Sequence, residues 1–219
     1  FFRKKTSVFI HGFNFEYAKN ADWKWISANL NKALCIFVLS QDFKNELIRR
    51  GIKSDIHLTS TKVPDYFISG FDLSMRQGKA ENIMYSGRIE KAKGVYETVD
   101  TFSILKSQYK DLTLTFVGDG SELPMLKQYV ENKKIKDVRF TGELRGEDFK
   151  KEYINADMYL FLSYTEGMPT VVLEAMIFGL PIFTRKVGGL IDFFENGKMG
   201  YISSSLDPVV FAEAMKPYI

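Results

Sequence analysis

The sequence predicts an α/β protein, in which parallel strands alternate with helices lying on both faces of the sheet. Three observations predict it. Short apolar runs alternate with longer stretches that carry apolar residues at helical spacing, most regularly from Ile83 onward. Gly and Pro punctuate the changes between them. The residue balance, 45% hydrophobic, 15% aromatic and 26% charged, is that of a packed globular protein and excludes disorder over the whole chain.

Taken in order, Ser7 to Ile10 reads as a strand, and Trp23 to Ala33 as a helix, with Trp23, Ile26 and Leu30 on one face. Cys35 to Leu39 is a continuous apolar run, the pattern of a strand covered on both faces. Ser40 is placed to cap a helix running to Arg50, and Gly51 to end it. Asp55 to Leu58 is a third strand. Thr59 to Ala80 loses periodicity and holds Pro64, Gly70 and Gly78, so it reads as a connecting segment. A regular alternation follows. Strands are expected at Ile83–Ser86, Leu112–Val117, Val138–Phe140, Met158–Leu162, Ile182–Thr184 and Gly200–Ile202. Helices are expected at Gly94–Gln108, Ser121–Asn132 (capped by Ser121), Glu147–Asn155, Thr170–Phe178, near Leu190, and at Asp207–Met215. The division is therefore residues 1–79 and 80–219.

Length and charge bound the function. The 219 residues allow one large domain or two small ones. Lys plus Arg is 30 against 27 for Asp plus Glu, a net charge of +3, which argues against nucleic acid as the main partner. The single cysteine, Cys35, excludes an intramolecular disulfide framework and fits a reducing compartment. The apolar run Ala33–Leu39 is far shorter than the ~20 residues needed to span a bilayer.

In parallel sheets ligands lie beyond the carboxyl ends of the strands, so those loops are where chemistry is sought. After the strand ending at Ser86 the chain reads Gly87-Arg-Ile-Glu-Lys-Ala-Lys-Gly94. Arg88 and Lys93 there suit a diphosphate, Arg by bidentate bonding and Lys as a point charge, although a solvated basic turn has the same composition. Gly118-Asp-Gly-Ser121 starts like a dinucleotide fingerprint but has Leu123 at the third glycine position, so NAD is not expected. A backbone close to a ligand at Gly118 stays open. The most informative segment is Thr165-Glu-Gly-Met-Pro-Thr-Val-Val-Leu-Glu-Ala-Met176. Glu166 should sit in a loop and Glu174 one to two turns into the next helix. The unpaired N–H groups near Met168 to Val171, where Pro169 has none to offer, lie at that helix's N-terminus, which favours an anion.

These residues carry a resemblance. Glu166-Gly-x-Pro-x-x-x-Leu-Glu-Ala-Met-x-x-Gly-x-Pro181 with Val187-Gly-Gly189 resembles the signature of group 1 (family 4) retaining glycosyltransferases of the GT-B fold. Gly87-Arg88 with Lys93-Gly94, Phe116-Val-Gly-Asp-Gly120, Phe140-Thr-Gly-Glu-Leu144 and Ala156-Asp157 match the same family in order and spacing. The resemblance implies a Rossmann-like carboxyl-terminal GT-B domain preceded by part of a second Rossmann-like domain. It implies that Arg88 and Lys93 bind the donor diphosphate, Glu174 the ribose, and Gly142 with Leu144 the base. Glu166 would face the transferred sugar, with the backbone at Met168, Pro169, Thr170 and Val171 on the sugar or β-phosphate and Gly167 approached closely. Ile10-His-Gly12 is similar to the family's active-site histidine segment, which makes His11 a candidate catalytic residue and Gly12 a candidate for close approach. Val38-Leu-Ser-Gln-Asp-Phe43 and Gly51 fit as well, whereas Thr59-Ser-Thr-Lys-Val-Pro64 departs from the family's usual turn.

The implied activity is transfer of a sugar from a nucleoside diphosphate sugar to an acceptor hydroxyl with retention, in cell-surface polysaccharide or glycolipid assembly. The family is generally metal-independent, and no Asp-x-Asp occurs here. The acceptor would be a saccharide, lipid-linked or other hydroxyl compound, and the setting cytoplasmic. Arg3-Lys-Lys5, Arg49-Arg50 and Lys133-Lys134 are candidates for contact with the inner face of the membrane. The alternatives are a non-catalytic nucleotide-sugar-binding module and a GT-B epimerase or phosphorylase. The family's early Gly-rich loop and its terminal helix are not in this stretch, so the chain is expected to be a piece of a longer protein and inactive alone.

Overall fold

The computed structural model describes residues 6–11, 21–75 and 80–219. The chain divides into two compact units. The first holds residues 1–62, 165–169 and 187–193, and the second 63–164, 170–186 and 194–219.

In the first unit, β1 (Ser7–Ile10), β2 (Cys35–Val38) and β3 (Asp55–Leu58) form a parallel sheet in that order. The helices α1 (Ala21–Leu30) and α2 (Gln41–Arg49) connect them. Ser40 caps α2 as expected, its Oγ accepting the Phe43 N–H at 3.2 Å. Gly51 follows the helix with φ +86°. Ile36, Val38, Leu47, Ile52 and Ile56 make the core, and Trp23, Leu30 and Phe43 pack against it. The expectation that β2 is covered on both faces fails among the described residues. Ile36 and Val38 are buried, but Cys35 and Phe37 on the other face are half-buried, and Phe9 beside them is 45% exposed. A continuous apolar run cannot tell the two cases apart, because apolar residues also occupy half-covered faces.

The second unit is a six-stranded parallel sheet of β4 (Asn82–Ser86), β5 (Thr113–Val117), β6 (Val138–Phe140), β7 (Met158–Phe161), β8 (Ile182–Arg185) and β9 (Gly200–Ser203). The order is β6-β5-β4-β7-β8-β9. Right-handed crossovers then put α3 (Val95–Gln108) and α4 (Leu123–Asn132) on one face, and α5 (Gly146–Asn155) and α6 (Thr170–Ile177) on the other. The last helix, α7 (Pro208–Met215), packs on α3. Val95, Val99, Phe102 and Leu105 are fully buried, so the 3.6-residue spacing of α3 marks its inner face. The helix α4 starts one residue later than a cap at Ser121 implies, at Leu123, with Glu122 rather than Ser121 at its N-cap. The backbone explains it: Leu123 N donates to Gly120 O at 3.1 Å and Glu122 N to Ile89 O at 3.0 Å, so a turn occupies the place a first helical turn would take. The segment read as a connector carries two short 3-10 turns, Asp65–Ile68 and Leu73–Met75.

Asp157 ties the start of β4 to the start of β7. Its Oδ2 accepts from the backbone N–H groups of Glu81 at 2.9 Å and Asn82 at 2.8 Å, and from Asn82 Nδ2 at 3.1 Å. Asp157→Ala leaves those donors without their carboxylate. It is expected to cost about 2 kcal/mol, read as a lower urea midpoint with an unchanged slope.

Candidate functional site

The chain lays down β4, β5 and β6 in one direction, then returns to place β7 on the other side of β4. The connections leaving β4 and β7 therefore run on to helices on opposite faces of the sheet from its carboxyl edge, the place where such sheets hold ligands. The β4 loop is fastened at each step. Gly87 N donates to Val117 O at 3.0 Å, the buried Tyr85 donates through Oη to Arg88 O at 2.8 Å, and Ile89 N donates to Asp119 O at 2.8 Å. Lys91–Lys93 form one 3-10 turn that closes at Gly94, where φ is +67°. The chain leaving β7 crosses directly over it. Tyr164 N donates to Ala92 O at 2.9 Å, and a Cβ on Gly94 would stand 2.0 Å from Leu162 O. Lys93 is half-buried on this platform, while Arg88 is exposed and pairs with Glu90 at 2.7 Å.

Gly118 does permit a close approach, and the group that approaches is the Gly87 carbonyl, 2.0 Å from where a Cβ would be. Gly118 N in turn donates to Gly142 O at 2.8 Å, so the loops after β4, β5 and β6 are laced together. Gly142, at φ +75°, has open space on its Cβ side, and Leu144 is half-buried beyond it.

Glu174 lies in the second turn of α6, half-buried, and its Oε2 accepts the Tyr153 hydroxyl at 2.8 Å. Burial pushes its carboxyl above the ordinary glutamate value, and the Tyr153 hydrogen bond opposes that by favouring the anion. The native state therefore holds the Glu174 proton more tightly than the unfolded chain. Its contribution to stability is full below about pH 4.5, the ordinary value, and is lost as pH rises through the elevated one. Glu174→Gln removes this ionisation. The variant is expected to gain stability relative to the parent as pH rises above about 4.5, with the gap closing in acid, as measured by paired urea unfolding curves.

In the first unit the structure brings His11 and Gly167 together. A Cβ on Gly167 would lie 1.7 Å from the His11 carbonyl oxygen, so only glycine fits there. His11 is exposed, its ring 4.5 Å from that of Phe9. Glu166 and Met168 are half-buried, and Pro169 is buried one residue ahead of α6, where a missing N–H costs nothing. Thr170 and Val171 open α6. Gly12 lies outside the described residues.

Two residues gained a role that sequence reasoning missed. Gly189 N donates to Gly167 O at 2.8 Å, and a Cβ on Gly188 would meet that same oxygen at 2.2 Å. The Gly-Gly pair thus supports the Glu166–Met168 loop from below; two adjacent glycines after a strand were the only signal for it. Asp192 secures the same segment, accepting from Gln41 N at the start of α2 at 2.8 Å.

The basic groups are partly offset. Arg49 and Arg50 both pair with Glu46, at 2.6 and 2.5 Å, and Lys133 pairs with Asp100 at 2.6 Å. Arg3-Lys-Lys5 lies outside the described residues. Among the described residues no helix is long and apolar enough to cross a membrane.

A doubly wound parallel sheet with charged side chains in the loops at its carboxyl edge defines the Rossmann-like class of α/β domains. The family follows from comparison. The model of the family "Glycosyl transferases group 1" matches residues 74–219, and the chain belongs to that family. It is 30% identical over 142 residues to a glycogen synthase of Mycobacterium tuberculosis, covering 64% of this chain and 34% of that protein. Among solved structures, TarM of S. aureus, crystallised with UDP and α-GlcNAc-glycerol, superposes with a TM-score of 0.82 at 19% identity, covering 98% of this chain and 43% of that one. HepE of Anabaena, in complex with UDP and glucose, superposes with a TM-score of 0.79 at 18% identity, covering 98% and 62%. The chain thus spans about a third of the glycogen synthase and less than two thirds of either crystallised enzyme.

Proposed function

We propose that this chain is the donor-binding part of a glycosyltransferase that moves a sugar from a nucleoside diphosphate sugar to an acceptor hydroxyl with retention, in cell-surface polysaccharide or glycolipid assembly. What carries the reading is the second unit: Lys93 on a turn fastened to the chain leaving β7, and the half-buried Glu174 of α6 held by the Tyr153 hydroxyl. Family membership supports the same assignment of parts. The diphosphate takes Arg88 and Lys93, together with the N–H groups at the start of α6. An exposed pair such as Arg88–Glu90 is worth at most about 1 kcal/mol, so Arg88 leaves Glu90 for a doubly charged ligand at little cost. Glu174 accepts from the ribose, Gly142 and Leu144 lie against the base, and Glu166 and His11 serve the sugar.

In this reading the bond from the anomeric carbon to the diphosphate oxygen breaks while the acceptor oxygen bonds to the same face. The acceptor's proton passes to the departing phosphate oxygen, so no protein nucleophile is needed. Two cations and a helix N-terminus stabilise the charge that develops on the diphosphate, and the reading includes no metal.

The test is calorimetry of the chain with UDP, GDP and their sugars, followed by incubation of the full-length protein with the binding sugar nucleotide, with and without acceptors. Saturable binding of one base, and transfer only with acceptor, is the expected result. Binding without turnover in the full-length protein would establish the non-catalytic module, and turnover without acceptor an epimerase. Absence of binding by every nucleotide sinks the donor reading.

A further inference from the structure

Three hydroxyl groups lie in a row inside the second unit, in a core that has no need of them for packing. Tyr159, Ser86 and Tyr153 are each fully buried. Ser86 Oγ is 2.8 Å from Tyr159 Oη and 2.8 Å from Tyr153 Oη, and Tyr153 Oη is 2.8 Å from Glu174 Oε2. Each hydroxyl has one proton, and a carboxylate only accepts, which sets the direction of the chain. Tyr153 donates to Glu174, Ser86 to Tyr153, and Tyr159 to Ser86. The Ser86 and Val171 carbonyls are second acceptors for Tyr159 and Tyr153, at 3.2 and 3.3 Å. Such a chain costs desolvation that Phe and Ala in the same places would avoid. Its course explains its presence. It passes through Ser86, the last residue of β4 and the neighbour of the Gly87-Arg88 loop. It ends on the carboxylate that the donor reading assigns to the ribose.

The Tyr153 ring itself has no freedom to swing. Phe178 stacks on it at 5.3 Å with an interplanar angle of 5°, and Phe67 and Phe149 meet it edge-on at 5.8 and 5.1 Å. A fixed ring carries a fixed hydroxyl.

We propose that Tyr153 is a positioning residue for the ribose site: it holds Oε2 of Glu174, backed by Ser86 and Tyr159, so that Oε1 is aimed at the ribose hydroxyls. The proposal rests on the donor reading for its ligand, but not for its geometry. A glutamate has three side-chain torsions, and one oriented donor on Oε2 removes much of that freedom before the nucleotide arrives. Strengthening of one bond by the next along the chain adds to the effect.

Tyr153→Phe keeps the ring and the aromatic packing and removes only the hydroxyl. Calorimetry of parent and variant with UDP and GDP, and with their 2′,3′-dideoxy forms, reads the consequence. The ribose forms are expected to bind about tenfold more weakly, the loss of one hydrogen bond to a charged group. The dideoxy forms are expected to bind parent and variant alike. Ser86→Ala should fall between the two. A second measurement needs no nucleotide: the Glu174 carboxyl, followed by carbon NMR of labelled glutamate, is expected to titrate higher in Tyr153→Phe. Ribose and dideoxy forms weakening together, or neither weakening, overturns the proposal. So does an unchanged Glu174 titration, whatever the nucleotides do. Failure of the parent to bind either nucleotide overturns the donor reading instead, and the carboxyl titration then decides on Tyr153.

Discussion

Lys93→Ala is expected to weaken binding of the preferred nucleoside diphosphate by about 10- to 100-fold, with the melting temperature little changed. A charge-assisted hydrogen bond contributes about 1.5–3 kcal/mol, and each 1.4 kcal/mol is a factor of ten. Lys93 sits at the end of a turn whose backbone is pinned at Ala92 by Tyr164 N, so the loss cannot be recovered by the loop moving in. Arg88→Ala should act in the same direction but less, because its guanidinium is exposed whereas Lys93 is half-buried. Calorimetry with UDP and GDP on both variants gives the order. Equal affinity in parent and Lys93→Ala removes the diphosphate from this loop.

The second large effect falls on stability. Gly94→Ala is expected to cost about 3 kcal/mol or more, the sum of a left-handed backbone and a clash with backbone that cannot rotate away. Its φ is +67°, and its Cβ would meet both Leu162 O at 2.0 Å and Leu162 C at 2.5 Å. Gly51→Ala is the control. Its φ is +86°, but nothing lies within 4 Å of its Cβ, so only the conformational cost of about 1–2 kcal/mol applies. Urea unfolding of the two variants separates the terms, since the difference between them is the contact. Equal losses would show that the approach of β7 to the Lys93 turn carries no energy.

The strands and helices of the second unit were legible because their sequence periods are strong. The face Val95-Val99-Phe102-Leu105 of α3 keeps helical spacing, and the run Met158–Phe161 of β7 is too short for a buried helix, so length settles what its pattern does not. The start of α4 was not, because a serine two residues ahead of a helix looks like a cap whether or not the backbone there is already turned. Cover on the second face of β2 was not legible either, since burial depends on what packs there and an apolar run is silent about that.

At the site, residue types and order were readable: Arg88, Lys93, Glu166 and Glu174 stand in loops or helices at the right ends of strands, and their spacing carried the family. Distances across the chain were not readable. Tyr153 and Ser86 are 67 residues apart, and neither differs in sequence from an ordinary core residue, so their chain to Glu174 had no local signal. The same holds for Gly188 and Gly189 under the Glu166–Met168 loop, because a glycine shows that a close approach is allowed and never which backbone makes it. The sequence by itself determined the parallel α/β class, the elements of the second unit, the family, and which residues carry charge to the carboxyl edge. Only the tertiary structure decided how those residues are held. Local pattern encodes period and propensity, whereas hydrogen bonds and contacts between distant segments exist only once the sheet has set β4, β7 and their helices side by side.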